Sequence, residues 1–486
     1  MEIILTSLSL VLLTSCLYSQ PSFSLLINSP NRELAVGGII EFSPSRYILS
    51  GTQSIALGQK VWQKFYKIDG EGDTIQSLVI EKDTSCMFFE LYQINEKDIL
   101  CFGAILNRLK PAEIWLTCID TSLNLLWEKS IQTPIDQIYT IKASENHDST
   151  LIIAAGLEVD FYTRYILMLR INQDGDSLYS KYIGPNTAYI FDLMRTPKTN
   201  QLLMPVLGLS QQTNTPGQII IFNSSFNICQ VDSIPNYVGN CCTVKSLNDT
   251  AYFLAGNKYY AFSNESYNIA LMKMIFPNLE INSAIVGRSA DTMDFAGTFQ
   301  GMDFINPSNI YIAGTSNISF GGYYAYQPSW YLISRFDSTL NLYWTKYYGG
   351  DAYYVLQSVT ATSDGGAIVA GTRFDYLNHP ENQLDVYVLK IDSTGLYTNV
   401  DKEEPVPVYD AIVYPNPGSD YLIVQSGPQV SGAVFRMYDM QGRQVMEQRL
   451  TSTLMRLGTG NLAAGTYPWQ IIFNNKTIEN GKWVKE

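Results

Sequence analysis

Short apolar runs that end in a glycine recur along the first four fifths of the chain. They are Tyr47–Gly51, Ile99–Gly103, Ile152–Gly156, Met204–Gly208, Tyr252–Gly256, Tyr311–Gly314 and Ala367–Gly371, with glycines 52, 53, 52, 48, 58 and 57 residues apart. Runs of this length, rich in Ile, Val, Leu, Phe and Tyr, read as buried strands, and no helical period of 3.6 is sustained. A second apolar run follows each glycine: Val61–Asp69, Ile114–Asp120, Tyr165–Asn172, Ile219–Ser224, Ile269–Phe276, Tyr331–Asp337 and Val386–Asp392. Most end in Asp or Asn and enter a polar turn such as Asp337–Asn341, where short polar side chains cap their own backbone. A third run, often Trp or Tyr rich (Leu125–Trp127, Leu342–Trp344), comes next. A fourth precedes the glycine run, as in Leu356–Thr362 ahead of Ser363-Asp364-Gly365-Gly366.

Four short strands in each period of about fifty residues is the pattern of a propeller blade, and seven copies predict seven blades. The repeat starts part-way through a unit near Ile39 and ends part-way through one near Asp392. The first and last segments are therefore expected to share one blade and leave no bare edge. The unit Trp330–Phe374 resembles the repeats of secreted bacterial propellers with a Ser-Asp-Gly-Gly turn. The predicted fold class is all-β, a seven-bladed β-propeller followed by a small immunoglobulin-like β-sandwich.

The sandwich is expected over residues 411–486. Val413-Tyr414-Pro415-Asn416-Pro417 fixes a stiff entry into a first strand. Asp439–Gly442 reads as a hairpin turn and Gly465 as the start of the last strand pair, in which Pro468 predicts an edge or a bulge. Tyr414, Pro415, Asn416, Pro417, Gly442, Gly465, Tyr467, Gly481, Lys482 and Lys485, in this order at the extreme C-terminus, resemble the type A sorting domain of the type IX secretion system of the Bacteroidetes. The resemblance implies passage from the periplasm through the outer membrane, removal of the tail, and a product released or attached to the outer cell surface. It names the secretion machinery as a partner.

The expected organisation is a signal peptide at 1–19, a propeller at 20–396, a Pro- and acid-rich linker at 397–410 and the sorting domain at 411–486. The apolar run to Leu13 has the length of a signal-peptide core and is too short to span a bilayer; no transmembrane segment is expected. Leu13-Thr14-Ser15-Cys16 also resembles a lipoprotein box, in which Cys16 would be acylated. The chain of 486 residues carries 32 Lys and Arg against 45 Asp and Glu, and no basic stripe that would mark a nucleic-acid partner. Six cysteines follow position 19. Cys86 and Cys101 flank a turn but stand about four residues out of register for a bridge.

Candidate chemistry is sparse. Neither histidine, His147 or His379, sits in a nucleophile motif, and no glycine-rich phosphate loop is present. Asp69-Gly70-Glu71-Gly72-Asp73 alternates carboxylates but lacks the spacing of a calcium loop and occupies a turn position of the repeat, so neither metal nor cofactor is expected. Short turns fall on one face of the propeller and long aromatic connections on the other. The candidate ligand-binding residues are Phe161, Tyr162, Tyr323, Tyr324, Tyr326, Tyr347, Tyr348, Tyr353, Tyr354, Phe374 and Tyr376. Two readings of these rings stand: they stack on a glycan or extracellular protein ligand, as in an adhesin, or they pack between blades. A polysaccharide- or peptide-cleaving hydrolase with carboxylates on different blades, and a purely structural surface component, are the alternatives.

Overall fold

A computed structural model describes residues 22–28, 32–54, 61–106, 111–146, 148–160, 163–186, 189–196, 199, 201–207, 217–234, 240–248, 250–259, 267–275, 280–287, 292–319, 322–378, 383–397, 412–425, 432–452, 454–473 and 476–486. The chain divides into two compact units, 1–400 and 401–486. Among the described residues every regular element is a strand.

The first unit holds seven antiparallel sheets. Blade 1 runs Arg32–Ser43, Arg46–Ser54, Val61–Ile68 and Thr74–Ile80; blade 2, Ser85–Gln93, Asp98–Leu106, Glu113–Asp120 and Leu125–Gln132; blade 3, Gln137–Glu145, Leu151–Asp160, Thr163–Ile171 and Ser177–Asn186. In blade 4 the first strand is split into Tyr189–Ile190 and Met194–Arg195, ahead of Leu202–Leu207, Gly217–Phe222 and Ile228–Ser233. Blade 5 is Asn240–Ser246, Ala251–Tyr259, Tyr267–Ile275 and Glu280–Val286. Blade 6 again splits its first strand, into Asp294–Ala296 and Met302–Asp303, before Ile310–Ser316, Trp330–Phe336 and Leu342–Gly349. Blade 7 takes Tyr353–Ala361, Ala367–Phe374 and Asp385–Ile391 from the end of the unit and Phe23–Ile27 from its beginning, with Leu25 opposite Val388.

First strands touch first strands from blade to blade, and that of blade 7 touches that of blade 1, so the ring is closed. The first strands are therefore the inner ones. The fourth strands form the rim, where Leu126, Leu178, Ile228 and Leu342 are exposed.

The repeated glycine has a physical cause. In blades 1, 2, 3, 5 and 7 the inner strand bulges next to the residue that faces it: Ala35, Phe88, Thr140, Cys241 and Leu356 lie opposite Gly51, Gly103, Gly156, Gly256 and Gly371. In blade 6 the inner strand breaks just after Ala296, which faces Gly314. The bulge presses a carbonyl onto the glycine strand, and a Cβ on Gly103, Gly314 or Gly371 would overlap the carbonyl oxygen of Met87, Phe295 or Val355.

Two rings of joints link the blades. At the inner strands, a polar side chain of one blade binds a backbone group of the next. Phe88 N–H donates to Gln63 Oε1 (2.8 Å), Ala143 N–H to Glu90 Oε2 (2.8 Å) and Arg195 N–H to Ser144 Oγ (3.1 Å). Val244 N–H donates to Asp192 Oδ2, Ala296 N–H to Asn257 Oδ1 and Ala361 N–H to Asp303 Oδ2, each at 2.8 Å, and Thr360 Oγ1 returns to Ile39 O of blade 1 (2.5 Å). These bonds satisfy inner-strand groups that no further strand covers.

At the rim, the turn that follows the third strand repeats one geometry. Asp69, Asp120, Asn172, Asn223, Asp337 and Asp392 each accept a backbone N–H four residues on through the side chain. The residue at the fourth position has positive φ: Gly72, Leu123, Gly175, Phe226, Leu340 and Gly395. Each of these turns meets the preceding blade. A Cβ on Gly72 or Gly175 would enter the ring of Phe23 or Trp127, one on Gly395 would press on Lys346 and Trp344, and the Phe226 ring lies 5.4 Å from that of Tyr179. Leu123 and Phe226, fully buried, offset the left-handed strain of about 1 kcal/mol by burial. Cys101, Cys118 and Cys229 are free thiols, Cys86 Sγ donates to Ile80 O (3.8 Å), and Cys101 stands opposite Leu91 rather than Cys86.

The second unit is a sandwich of two sheets. One pairs Ile412–Tyr414, Tyr421–Gln425 and Leu454–Gly458; the other orders Gln444–Arg449, Val434–Tyr438, Gly465–Phe473 and Lys476–Lys485. Trp483, Trp469, Phe435 and Leu422 fill the space between them. The expectation for Pro468 needs correction. Its strand is an interior one, and the proline is accommodated because Val434–Tyr438 pairs with it only as far as Trp469.

The glycine–bulge contact sets a measurable expectation. Gly371→Ala forces the Val355 carbonyl away and lowers stability by about 1–3 kcal/mol, read as a reduced urea midpoint with an unchanged slope.

Candidate functional site

Three regions bear on function: the centre of the ring, the face of long connections, and the surface that carries the C-terminal motif. At the centre one segment of the chain bridges several blades. The break in the inner strand of blade 6 carries residues 297–301 inward. Phe299 N–H and Gln300 N–H donate to Gln357 O of blade 7 (2.9 and 3.2 Å), Gly301 N–H to Thr243 Oγ1 of blade 5 (2.8 Å), and Lys142 Nζ of blade 3 donates to Phe299 O (2.8 Å). The Phe299 ring packs on the core shared by blades 2 and 3.

Charged groups around this plug alternate in sign over five successive blades: Glu90, Lys142, Asp192, Lys245 and Asp303, with Lys245 ion-paired to Asp303. Burial pushes the Glu90 carboxyl up to about 7, with Asp192 adding to the rise and Lys142 opposing it; burial raises Asp192 as well. Glu90, Asp192 and Asp303 all accept the inter-blade N–H bonds described above. The carboxylates at the centre thus serve as joints of the ring.

On the long-connection face, Tyr323, Tyr324, Tyr353, Phe374 and Tyr376 converge around Ala325, Val355 and Leu384. Tyr323, with its hydroxyl raised by burial, accepts from Gln357 Nε2 (3.0 Å), and the Tyr353 hydroxyl accepts Ser319 N–H (2.9 Å). Four of the candidate rings are excluded from ligand contact by burial: Tyr353 and Phe374 at 0% exposure, Tyr354 at 3% and Tyr348 at 8%. Tyr348 donates to Gly395 O (2.7 Å), and Tyr354 donates to Asp351 Oδ1 (2.8 Å) while accepting from Arg373 Nε (3.1 Å). Tyr347 packs against the core shared by blades 5 and 6. What reaches solvent is Tyr326, 63% exposed, set edge-on to Phe374 (5.6 Å) and Tyr376 (6.1 Å), with half-buried Tyr324 and exposed Leu377 beside it. Phe161, Tyr162, His147 and His379 lie outside the described residues.

Asp69, the candidate calcium ligand, spends Oδ1 on Glu71 N–H (3.0 Å) and Asp73 N–H (2.9 Å), the same turn as in five other blades. Asp439 repeats it in the second unit, with Gly442 at positive φ.

In the second unit the two ends of the C-terminal motif meet. Asn416 acts like a peptide group of a neighbouring strand: Nδ2 donates to Lys482 O (2.8 Å) and Oδ1 accepts Val484 N–H (2.9 Å). Gly418 N–H donates to Val484 O and Glu486 N–H to Gly418 O. Trp483 Nε1 donates to Pro415 O (2.6 Å), and Lys485 Nζ reaches Ser419 O and Thr459 O. Tyr414–Pro417 therefore covers the outer edge of the last strand, where prolines suit a segment that supplies few donors. Gly481 leaves room for the Trp469 indole, which a Cβ would enter.

Residues 412–486 match the family of the secretion system C-terminal sorting domain. The comparison with curated protein sequences found no match. Among solved structures the chain is similar to PorZ, a bacterial surface component of the type-IX secretion system of Porphyromonas gingivalis, at 10% identity over 91% of this chain and 69% of that one, TM-score 0.35. It is also similar to hydrazine synthase of Kuenenia stuttgartiensis (11% identity, 72% and 93% covered, TM-score 0.42) and to the β-propeller domain of the Trilobed protease from Pyrococcus furiosus (10%, 76% and 98%, 0.35). The sorting domain marks the protein as cargo of the type IX secretion system, extracellular or held at the cell surface. No helix among the described residues is long and apolar enough to cross a membrane.

Two outcomes follow from this geometry. Glu90 holds its proton more tightly folded than unfolded. Wild type therefore loses stability relative to Glu90→Gln as pH rises from its ordinary 4.5 to about 7, by at most about 3 kcal/mol. Chemical denaturation across that range should show the difference flattening on either side. Asn416→Ala frees the edge of the last strand and costs the tail about 1–3 kcal/mol. In the native host it should leave cell-associated precursor, quantified by immunoblot against the culture medium.

Proposed function

Starting from a chain addressed for export by type IX secretion, we propose an adhesin-like binding protein that engages an extracellular glycan or protein through the long-connection face of its propeller. The apolar run ending at Leu13 supplies the first export step as a signal peptide, and the linker at 397–410 separates the cargo from its address. The observation that carries the reading is the Tyr326–Tyr376–Leu377 surface of blades 6 and 7. There an exposed ring is held edge-on by buried Phe374, on a scaffold fixed from both sides. A rigid aromatic with few rotatable bonds gives contact area at low entropic cost, which suits stacking on a sugar ring or a peptide group. Hydrolysis is disfavoured because the central carboxylates are spent on inter-blade bonds and residues 297–301 bond across the centre to neighbouring blades.

The purified full chain should bind members of a glycan array or a matrix-protein array. Tyr326→Ala combined with Tyr376→Ala should weaken the strongest hit at least tenfold in biolayer interferometry, with an unchanged melting temperature. Binding untouched by both changes refutes this surface as the contact.

A further inference from the structure

Blade 3 departs from the other six at one end. In the six others, the second and third strands pair without a register shift among the described residues. In blade 3 the register slips between Glu158 and Asp160, leaving Val159 unpaired. A second slip, between Arg164 and Ile166, leaves Tyr165 unpaired against the outer strand. Where other blades shift the third and outer strands, they do so beside the short turn, as at Lys67/Ile68 and Arg335/Phe336. Both extra irregularities of blade 3 lie at the long-connection end, and bulges at such ends re-aim side chains.

The re-aimed residues line an open surface hollow of about 340 Å³ with Tyr182 and with Pro134 and Ile135 from the connection between blades 2 and 3. That connection is rigid: Thr133 N–H and Oγ1 donate to Ala112 O (3.2 and 2.7 Å), and Ala112 N–H donates to Ile135 O (3.0 Å). Val159 is 55% exposed and Tyr182 45%, although each is large and apolar in its body. The walls are aliphatic groups and two tyrosine rings. Exposed carboxylates stand next to them in sequence, Asp136 after Ile135 and Asp160 after Val159.

We propose that this hollow is a second binding site, which takes one aromatic side chain of a protein partner flanked by Lys or Arg. Its volume suits a single large ring, and walls without charged or amide side chains exclude a free sugar, which needs polar partners beside its stacking surface. Asp136 and Asp160, on a propeller where acidic residues outnumber basic ones, select basic neighbours for the anchor. The site rests on the reading of the long-connection face as the binding face but shares no residue with the Tyr326 surface.

The test is saturation-transfer NMR on the full chain with three probes: acetyl-Lys-Trp-Lys-amide, acetyl-Glu-Trp-Glu-amide and methyl β-glucoside. The first should show transfer to its indole protons, at least fivefold stronger than the second, and the glucoside none that depends on this site. Val159→Ser with Tyr182→Ser, both at exposed positions, should abolish the indole signal, whereas Tyr326→Ala with Tyr376→Ala should leave it intact. Absence of indole transfer, indole transfer that survives Val159→Ser/Tyr182→Ser, or glucoside transfer that this pair removes overturns the proposal. Loss of the signal only in Tyr326→Ala/Tyr376→Ala also overturns it while leaving the Tyr326 surface standing.

Discussion

A backbone carbonyl pressed against a glycine, repeated around a ring, is the contact on which this propeller depends. The inner strand of each blade has no further strand on its central side, so its backbone groups must bond to something other than a ladder. A bulge turns part of that strand toward the neighbouring blade. The bulge in turn requires that the next strand present no Cβ where the carbonyl arrives, which is the role of Gly103, Gly314 and Gly371. Once the inner strand is turned, Glu90, Asp192 and Asp303 can reach across to the next blade's N–H groups. The central carboxylates are consequences of the bulge and are best understood as structural parts.

The same economy governs the rim. A polar residue caps its own turn, and the left-handed residue of that turn lies on an aromatic or apolar group of the preceding blade. Glycine serves where a ring approaches closely, as at Gly175 under Trp127; a buried Leu123 or Phe226 serves where there is space to fill. Phe23 performs this role for the turn at Gly72, so the strand that completes blade 7 also supplies the seat for blade 1. Closure is thus a matter of side-chain packing as well as of strand pairing.

Much of this was legible in the sequence because it repeats. The glycine period marks the bulged strand pairs, Asp or Asn at the end of the second apolar run marks the capped turns, and the ordered tail motifs mark the sorting domain. Single events were not legible. Tyr348, Tyr353 and Tyr354 have the composition of a binding face, yet alternation along a strand does not tell a face turned toward a neighbouring blade from one turned toward solvent. Their hydroxyls are spent on Gly395 O, Ser319 and Asp351. The plug at 297–301 and the two slips of blade 3 are register features, and no residue type announces them. Tyr165 and Tyr182 read in the sequence as ordinary strand residues, and only the unpaired Val159 sets them apart.

The tail shows why a linear motif can be a folded object. Tyr414–Pro417 and Gly481–Lys485 are more than sixty residues apart in sequence, but Asn416 and Trp483 make them one surface by occupying the edge that the last strand would otherwise expose. An exposed edge is an invitation to pair with any other chain, and a secreted protein crosses crowded compartments before it is released. A stiff segment that supplies two prolines and one side-chain amide in place of a strand blocks that pairing while the domain stays intact. The residues that resemble an address in the sequence are therefore the same ones that keep the address soluble. Protection of the last strand thus rests on both ends of the Asn416 amide.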